Sequence, residues 1–285
     1  MATILVTGSS KGFGFLIVKT LLKDGHKVVA GMRGVDGKNK SAAAELKAAG
    51  ALPVEMDVTD EASVDRAVAS AGALDVVVNN AGVGVLGLQE TFTPEDWKKV
   101  FDVNVLGVQR VNRAVLPQMR ERRAGLLIHI SSLLGRMVIP FYGPYNASKF
   151  ALEALADNYR IELSSFGIES VLVEPGGYGT TFMDGLIKPS DRSRDPGYGP
   201  MAGAPEQSLA SFVKHLTGPH APNPQWVADA VAGLVQAPRG KRPFRTTVDR
   251  LGMGAAVDPY NQAAEEMQKK VYAAFGLSDV LALKT

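Results

Sequence analysis

The chain has 285 residues, 46% of them apolar, with 31 basic and 29 acidic side chains and no cysteine. That length and apolar share suffice for one enzyme-sized domain with a large core, and the near-balanced charge favours neither a nucleic-acid nor a membrane partner. The lack of cysteine excludes disulfides and thiol catalysis, and the scattered His26, His129, His215 and His220 have no metal-ligand spacing, so no metal is expected.

Residues 3–7, Thr-Ile-Leu-Val-Thr, form a β-branched run that predicts a strand. Gly8-Ser9-Ser10-Lys11-Gly12-Phe13-Gly14 follows at once, and Phe15 to Lys23 carries helical spacing closed by Asp24-Gly25. Strand, glycine turn and helix in that order make a phosphate cradle, because backbone N–H groups and the helix dipole both face the turn. Its spacing is Gly-x-x-x-Gly-x-Gly rather than Gly-x-Gly-x-x-Gly.

Val28 to Gly31 predicts a second strand, followed by Met32-Arg33, and Lys40 to Ala49 a helix. Leu52 to Met56 is a third strand ending at Asp57, and Glu61 to Ser70 a helix capped by Thr59 or Asp60. Leu74 to Val78 is a fourth strand running into Asn79-Asn80-Ala81-Gly82. Thr93-Pro94-Glu95 opens a long helix over about 95–118. Leu126 to Ile130 is a fifth strand leading to Ser131-Ser132, and Tyr145 to Phe166 a helix. Glu169 to Val173 is a sixth strand ending at Glu174-Pro175-Gly176-Gly177, and Pro243 to Val248 a last one. Apolar strands alternating with helices predict an α/β doubly wound Rossmann fold, an about seven-stranded parallel sheet covered on both faces. Ligands bind such sheets beyond the carboxyl ends of the strands, where Gly8, Arg33, Asp57, Asn79, Ser132 and Pro175 all fall.

Tyr145 and Lys149 stand four residues apart, so a helix places both on one face. An ammonium beside a phenol is expected to lower the tyrosine pKa and make it a proton donor and acceptor near neutral pH. His129 alternates within a buried strand and is expected to be a satisfied core histidine.

Together these motifs resemble the short-chain dehydrogenase/reductase family, in its shorter type. The match takes in Thr7-Gly8-x-x-x-Gly12-x-Gly14, Asp57, Asn79-Asn80-Ala81-Gly82, Asn104, Ser132, Tyr145-x-x-x-Lys149 and Pro175-Gly176-x-x-x-Thr180. It covers about residues 3–181 and fades beyond 185. The resemblance implies an enzyme interconverting a carbonyl and an alcohol. Tyr145 would be the acid or base, Lys149 would hold the nicotinamide ribose and depress the Tyr145 pKa, Ser132 would polarise the substrate oxygen, and Asn104 would anchor a relay water. Gly8, Ser10, Lys11, Gly12, Phe13 and Gly14 would form the phosphate turn. Asp57 and Val58 would contact adenine, Asn79, Ala81 and Gly82 the adenosine and ribose, and Thr180, with the backbone near Tyr178, the carboxamide and diphosphate; Pro175 and Gly176 would also bind the cofactor. A non-catalytic cofactor-binding sensor or scaffold shares the fold but has no use for the full set of Asn104, Ser132, Tyr145 and Lys149. Sugar-nucleotide epimerases share Tyr-x-x-x-Lys but differ in glycine spacing and carry a larger C-terminal domain.

Where a relative preferring NAD has an acid after the second strand, this chain has Arg33, with Lys11 inside the glycine turn; two cations there favour a 2′-phosphate and so NADP(H). Phe141, Tyr142, Tyr178, Phe182 and Met183 suggest an apolar substrate wall. The Pro- and Gly-rich stretch 184–225 is expected to be a substrate lid, and 255–285 a helical extension of a single domain spanning 1–285. The first strand begins too early for a signal peptide and no apolar run is long enough to span a membrane, so a cytoplasmic protein is expected. A homodimer or homotetramer is expected from surplus apolar residues on the helices near 98–118 and 150–165.

Overall fold

In a computed structural model of the chain, which describes residues 1–284, the apolar runs become seven strands of one sheet. They are β1 (Thr3–Thr7), β2 (Lys27–Met32), β3 (Leu52–Glu55), β4 (Val76–Asn79), β5 (Gly125–Ile130), β6 (Ile168–Pro175) and β7 (Arg245–Val248). The order is β3-β2-β1-β4-β5-β6-β7, with every pairing parallel. The crossovers place helices on both faces. The expected Rossmann fold is the observed one.

Alternation along the strands sorts the core into two layers. Ile4 and Val6 face one way, against α1 (Gly12–Lys23), α2 (Lys40–Ala48) and α8 (Gln225–Gln236). Leu5, Val77 and Leu127 face the other, against α3 (Glu61–Ala71), α5 (Gly107–Arg122) and α6 (Gly143–Leu163). Pro53 sits in β3, an edge strand, where its missing N–H costs no central ladder bond.

The long helix expected over 95–118 is interrupted. It runs as α4 (Pro94–Phe101), then a wide π-type turn at Asp102–Leu106, then α5. Arg110 holds the turn, with Nη2 2.6 Å from Asp102 Oδ1 and Nη1 donating to the Asp102 carbonyl. Such bulges recur at functional sites because they re-aim a side chain, and Asn104 lies in this one.

The stretch expected to be a lid is tied to residues 84–96. Ile187 exchanges backbone hydrogen bonds with Gly84 and Leu86, Ser190 bonds Asp96, and Arg194 and Tyr198 meet Glu90. It continues through turns at Asp195–Gly203 into α7 (Ala204–Thr217). The C-terminal helix α9 (Gly254–Ala274) begins one residue before the expected extension and carries Pro259 in its second turn. Among the described residues no helix is long and apolar enough to cross a membrane, and no cluster of acidic or histidine side chains has metal-binding geometry.

Candidate active site

Beyond the carboxyl ends of the strands lies a cleft of about 510 Å³. Its floor at one end is the glycine turn. Gly8 and Gly12 have φ of +65° and +56°, conformations that side chains with a Cβ resist. A Cβ on Gly14 would stand 2.5 Å from Asn80 Nδ2 and closer still to the Gly8 carbonyl oxygen, so only glycine lets α1 approach the strand. Asn80 braces the turn by donating to the carbonyls of Thr7 and Gly8. Lys11 is the N-cap of α1 and has no side-chain cap bond, so first-turn N–H groups are left to face the cleft. Thr180 lies opposite, 3.8 Å from where a Gly12 Cβ would be.

At the neighbouring end, Arg33 Nη1 stands 3.7 Å from Asp57 Oδ2, with Lys38 and Asn39 beside them in the lining. The loop carrying these cations is built: Glu55 accepts from the N–H groups of Gly34 and Val35 at 2.8 Å each, and Asn39 donates to the Arg33 carbonyl. Burial opposes ionisation of Asp57, but hydrogen bonds from Thr59 and the charges of Arg33 and Lys38 outweigh it and hold the carboxyl below its usual range. The Lys11 ammonium reaches the other way, to the Thr181 carbonyl at 3.3 Å. The cation neighbouring Arg33 is therefore Lys38, which sequence spacing did not single out.

At the centre, Ser132, Tyr145 and Lys149 share the lining with Gly82. Ser132 lies two residues past the end of β5, and its hydroxyl accepts from the Leu134 N–H. Lys149 donates to the Ile130 carbonyl at 2.8 Å and lies 5.6 Å from the Tyr145 ring centre. The expected lowering of the Tyr145 pKa is not what this geometry produces. Burial pushes the phenol up to about 12; a Ser132 hydrogen bond pulls it down only in part. Burial pushes Lys149 down to about 8. Desolvation outweighs the attraction between neighbours because both groups sit deep.

Three expected positions fall elsewhere. The Asn79 side chain turns into the interior, donating to Asn112 Oδ1 at 2.9 Å, and Asn80 lines the cleft in its place. Asn104 lies behind the lining: its amide bonds both backbone groups of Val83 and the Ser148 hydroxyl. Gly14 serves packing beneath the turn. Of the expected apolar wall, Tyr142, Tyr178, Phe182 and Met183 line the cleft, whereas Phe141 takes a φ of +73° and its carbonyl accepts from the Gly87 N–H. Tyr178 is anchored by its hydroxyl to the Val248 carbonyl and by its ring to Phe13. The remaining cradle positions, Ser10, Phe13, Val58, Ala81, Pro175 and Gly176, line the cleft. Phe212 of α7 and Met253 ahead of α9 join the wall from segments with no motif to mark them. His129 is a buried core residue between Asn79 and Ser170, pushed down to about 3 by burial and by Lys149.

The short chain dehydrogenase profile matches residues 2–191. The chain belongs to this family. This short-chain dehydrogenase is 34% identical over 260 residues to a 3-ketodihydrosphingosine reductase of Bacteroides thetaiotaomicron, covering 87% of this chain and 88% of the relative. It is 35% identical over 250 residues to human retinol dehydrogenase 8, covering 83% and 78%. Among solved structures, a short-chain dehydrogenase from Streptomyces avermitilis superposes with a TM-score of 0.75 at 28% identity, covering 96% of this chain and 97% of that one. An actinorhodin polyketide ketoreductase with NADPH superposes at 0.73 and 29% identity, covering 89% and 97%. The short-chain dehydrogenase described here is thus an oxidoreductase of a family that binds NAD(P)(H) and acts on small molecules.

Proposed function

We propose that this oxidoreductase uses NADPH to reduce a hydrophobic ketone or aldehyde to an alcohol, with the reverse reaction available. The observation that carries the reading is that Ser132, Tyr145 and Lys149 meet in one apolar cleft whose far end holds Arg33 and Lys38. The dinucleotide fits the residues present: a glycine turn lining the cleft in which Gly8 and Gly12 take positive φ, a helix N-terminus aimed at it, and two cations suited to a 2′-phosphate. Gly8, Ser10, Lys11, Gly12, Phe13 and Thr180 would hold the diphosphate, Arg33 and Lys38 the 2′-phosphate, and Asp57 and Val58 the adenine. Asn80, Ala81, Gly82 and Lys149 would hold the ribose, and Pro175, Gly176 and Tyr178 the nicotinamide end. When bound, this group supplies the hydride.

The chain's own residues do the rest. Ser132 donates a hydrogen bond to the substrate oxygen and orients it. Tyr145, protonated at neutral pH, gives its proton to that oxygen as negative charge develops there. Lys149 offers an ammonium beside the phenol and the ribose. Asn104 keeps Val83 and the Ser148 turn of α6 in register with it. Phe182, 5.8 Å from the Tyr145 ring, closes the wall and keeps water from the reacting carbon. A substrate without charge follows from this lining, and relatives named for 3-ketodihydrosphingosine and retinol fit that choice. A sensor of the same fold gains nothing from the Ser132–Tyr145–Lys149 set.

Assaying hydrophobic ketones by NADPH absorbance tests the reading. Tyr145→Phe should cut turnover at least about a hundredfold, the lower range for general acid catalysis, with NADPH affinity kept. More than a few per cent residual turnover would mean that another group supplies the proton.

A further inference from the structure

The C-terminal helix docks with little apolar burial of its own. Of the 21 residues of α9, the buried ones are Gly254, Val257 and Asn261. An amide is a side chain that helix interiors disfavour, because it competes for backbone hydrogen bonds. What Asn261 touches explains its place. Its Oδ1 accepts from Arg136 Nε at 2.7 Å, and its Nδ2 donates to Glu174 Oε2 at 2.7 Å. A guanidinium only donates and the carboxyl oxygen accepts, so the side chain between them must do both, as an amide can.

Both partners lead to the active site. Arg136 closes the turn that begins at Ser132. The Leu134 N–H donates to the Ser132 hydroxyl, the Gly135 N–H to the Ser132 carbonyl and the Arg136 N–H to the Leu133 carbonyl. Leu134 and Ile139, on either side of Arg136, line the cleft. Asn146 of α6 holds the far end of this loop by donating to the Ile139 carbonyl, and α9 holds its middle. Besides its bond to Asn261, the Arg136 guanidinium carbon lies 4.5 Å from the Tyr260 ring centre, and among the described residues no carboxylate pairs with it. Glu174 is wholly buried and precedes Pro175 and Gly176, which line the cleft from the end of β6. Its other oxygen lies 3.5 Å from Arg245 Nε, which donates to Glu153 of α6 at 2.9 Å. Glu174 is therefore fixed to the body of the fold, and Asn261 carries that fixity across to the Ser132 turn.

We propose that Asn261 is a positioning residue for the active site: it locks the turn after Ser132 to the end of β6, and so sets the substrate side of the cleft from a helix outside residues 2–191, the span of the family match.

The adenosine and diphosphate side is braced separately, by Asn80 under the glycine turn and by Glu55 under the Arg33 loop. Loss of the Asn261 bridge should therefore be felt by substrate and not by NADPH.

The inference rests on the reductase reading for what the turn does, but not for whether the bridge holds it. Hydrogen exchange over 133–137, where the N–H groups of Gly135, Arg136 and Met137 hold the turn, is followed by mass spectrometry in the full chain without ligand. Asn261→Leu keeps the volume and removes both bonds, and should quicken exchange there about tenfold, the loss expected for a bond to a charged group. Glu265→Gln is the control. It breaks the 3.1 Å pair with Arg160 that also ties α9 to α6, and should leave 133–137 at the wild-type rate. Should Asn261→Leu fail to fold with Glu174 left unpaired, Arg136→Met severs the bridge from the other side, spares the Asn261–Glu174 bond, and should quicken the same amides. With a hydrophobic ketone, either variant should raise KM about five- to tenfold and leave the NADPH dissociation constant within about twofold; a merely structural role lowers the folded fraction and moves neither constant. Wild-type exchange over 133–137 in a folded Asn261→Leu or Arg136→Met overturns the proposal. So does equal quickening in Glu265→Gln, which would make the docking of α9 as a whole the cause, and so does quickened exchange with an unchanged KM. Quickened exchange in a protein that reduces no ketone would support the bridge and reject the reductase.

Discussion

Asp96 Oδ2 accepts from both the backbone N–H and the hydroxyl of Ser190, at 3.0 and 2.7 Å, while the same carboxylate completes the N-terminal cap of α4 with Thr93. One buried side chain thus ties the segment at Ser190 to the helix that precedes the Asn104 turn. Burial disfavours its charge, but the bonds from Ser190 and Thr93 prevail and hold Asp96 down at about 2. The carboxyl's folded value lies below its unfolded one of 3.8. Its contribution is therefore whole above about pH 4 and is lost as pH falls through about 2. Asp96→Asn should cost about 2 kcal/mol at neutral pH, with the deficit shrinking toward pH 2 in urea titrations. Amide exchange across 187–198 should quicken in the variant, and a substrate KM that rises with it would identify the segment as a lid. Exchange unchanged from wild type would leave Asp96 as a helix cap only.

Arg33 and Lys38 set cofactor choice in the proposed function. A charge-assisted contact to a 2′-phosphate is worth roughly 1.5–3 kcal/mol, or about tenfold to a hundredfold in affinity. NADPH should bind tighter than NADH by that factor, and Arg33→Ala should remove most of the preference. Lys38→Ala should weaken NADPH selectively, and Lys11→Ala should weaken both cofactors alike because its ammonium points to Thr181. Fluorescence titration of each variant decides; equal dissociation constants in the wild type would refute the assignment.

Gly14→Ala should be poorly tolerated. The added methyl meets the Gly8 carbonyl and the Asn80 amide, which are backbone and a bound side chain and have little room to move. Overpacking of this kind costs about 1–3 kcal/mol, and displacement of the turn should weaken cofactor binding as well. Gly233→Ala in α8 is the control: nothing lies within 4 Å of its added Cβ, so helix propensity should make it stabilising by about 0.5–1 kcal/mol. Thermal melts with and without cofactor compare the two.

Leu106, in the wide turn, and Phe150, on α6, are 50% and 37% exposed on neighbouring elements. A closed homo-oligomer burying this face is the expected state in solution. Light scattering should give at least twice the 30.2 kDa chain mass, and Leu106→Glu with Phe150→Glu should reduce it to one chain. A monomeric wild type at micromolar concentration would contradict this.

The strands, their parallel alternation with helices, the glycine turn and the Tyr145–Lys149 spacing were legible in the chain because each is a local pattern. Backbone freedom at Gly8, apolar runs and a four-residue helical offset depend only on neighbours in sequence. What stayed hidden depended on distant ones. Whether Asn79 or Asn80 enters the cleft turns on a one-residue change of face at the end of β4. The wide turn at Asn104 needs Arg110 and the Val83 backbone to hold it. Lys38, not Lys11, neighbours Arg33 because Glu55 and Asn39 shape the loop between. Tyr145 rises where spacing alone suggested a fall, because desolvation sums over every surrounding element. Glu153 faces Arg245 and Glu174 only once β6 and β7 lie side by side. Local preference wrote the elements into the sequence; burial and charge, which act through space, were decided by the packed fold.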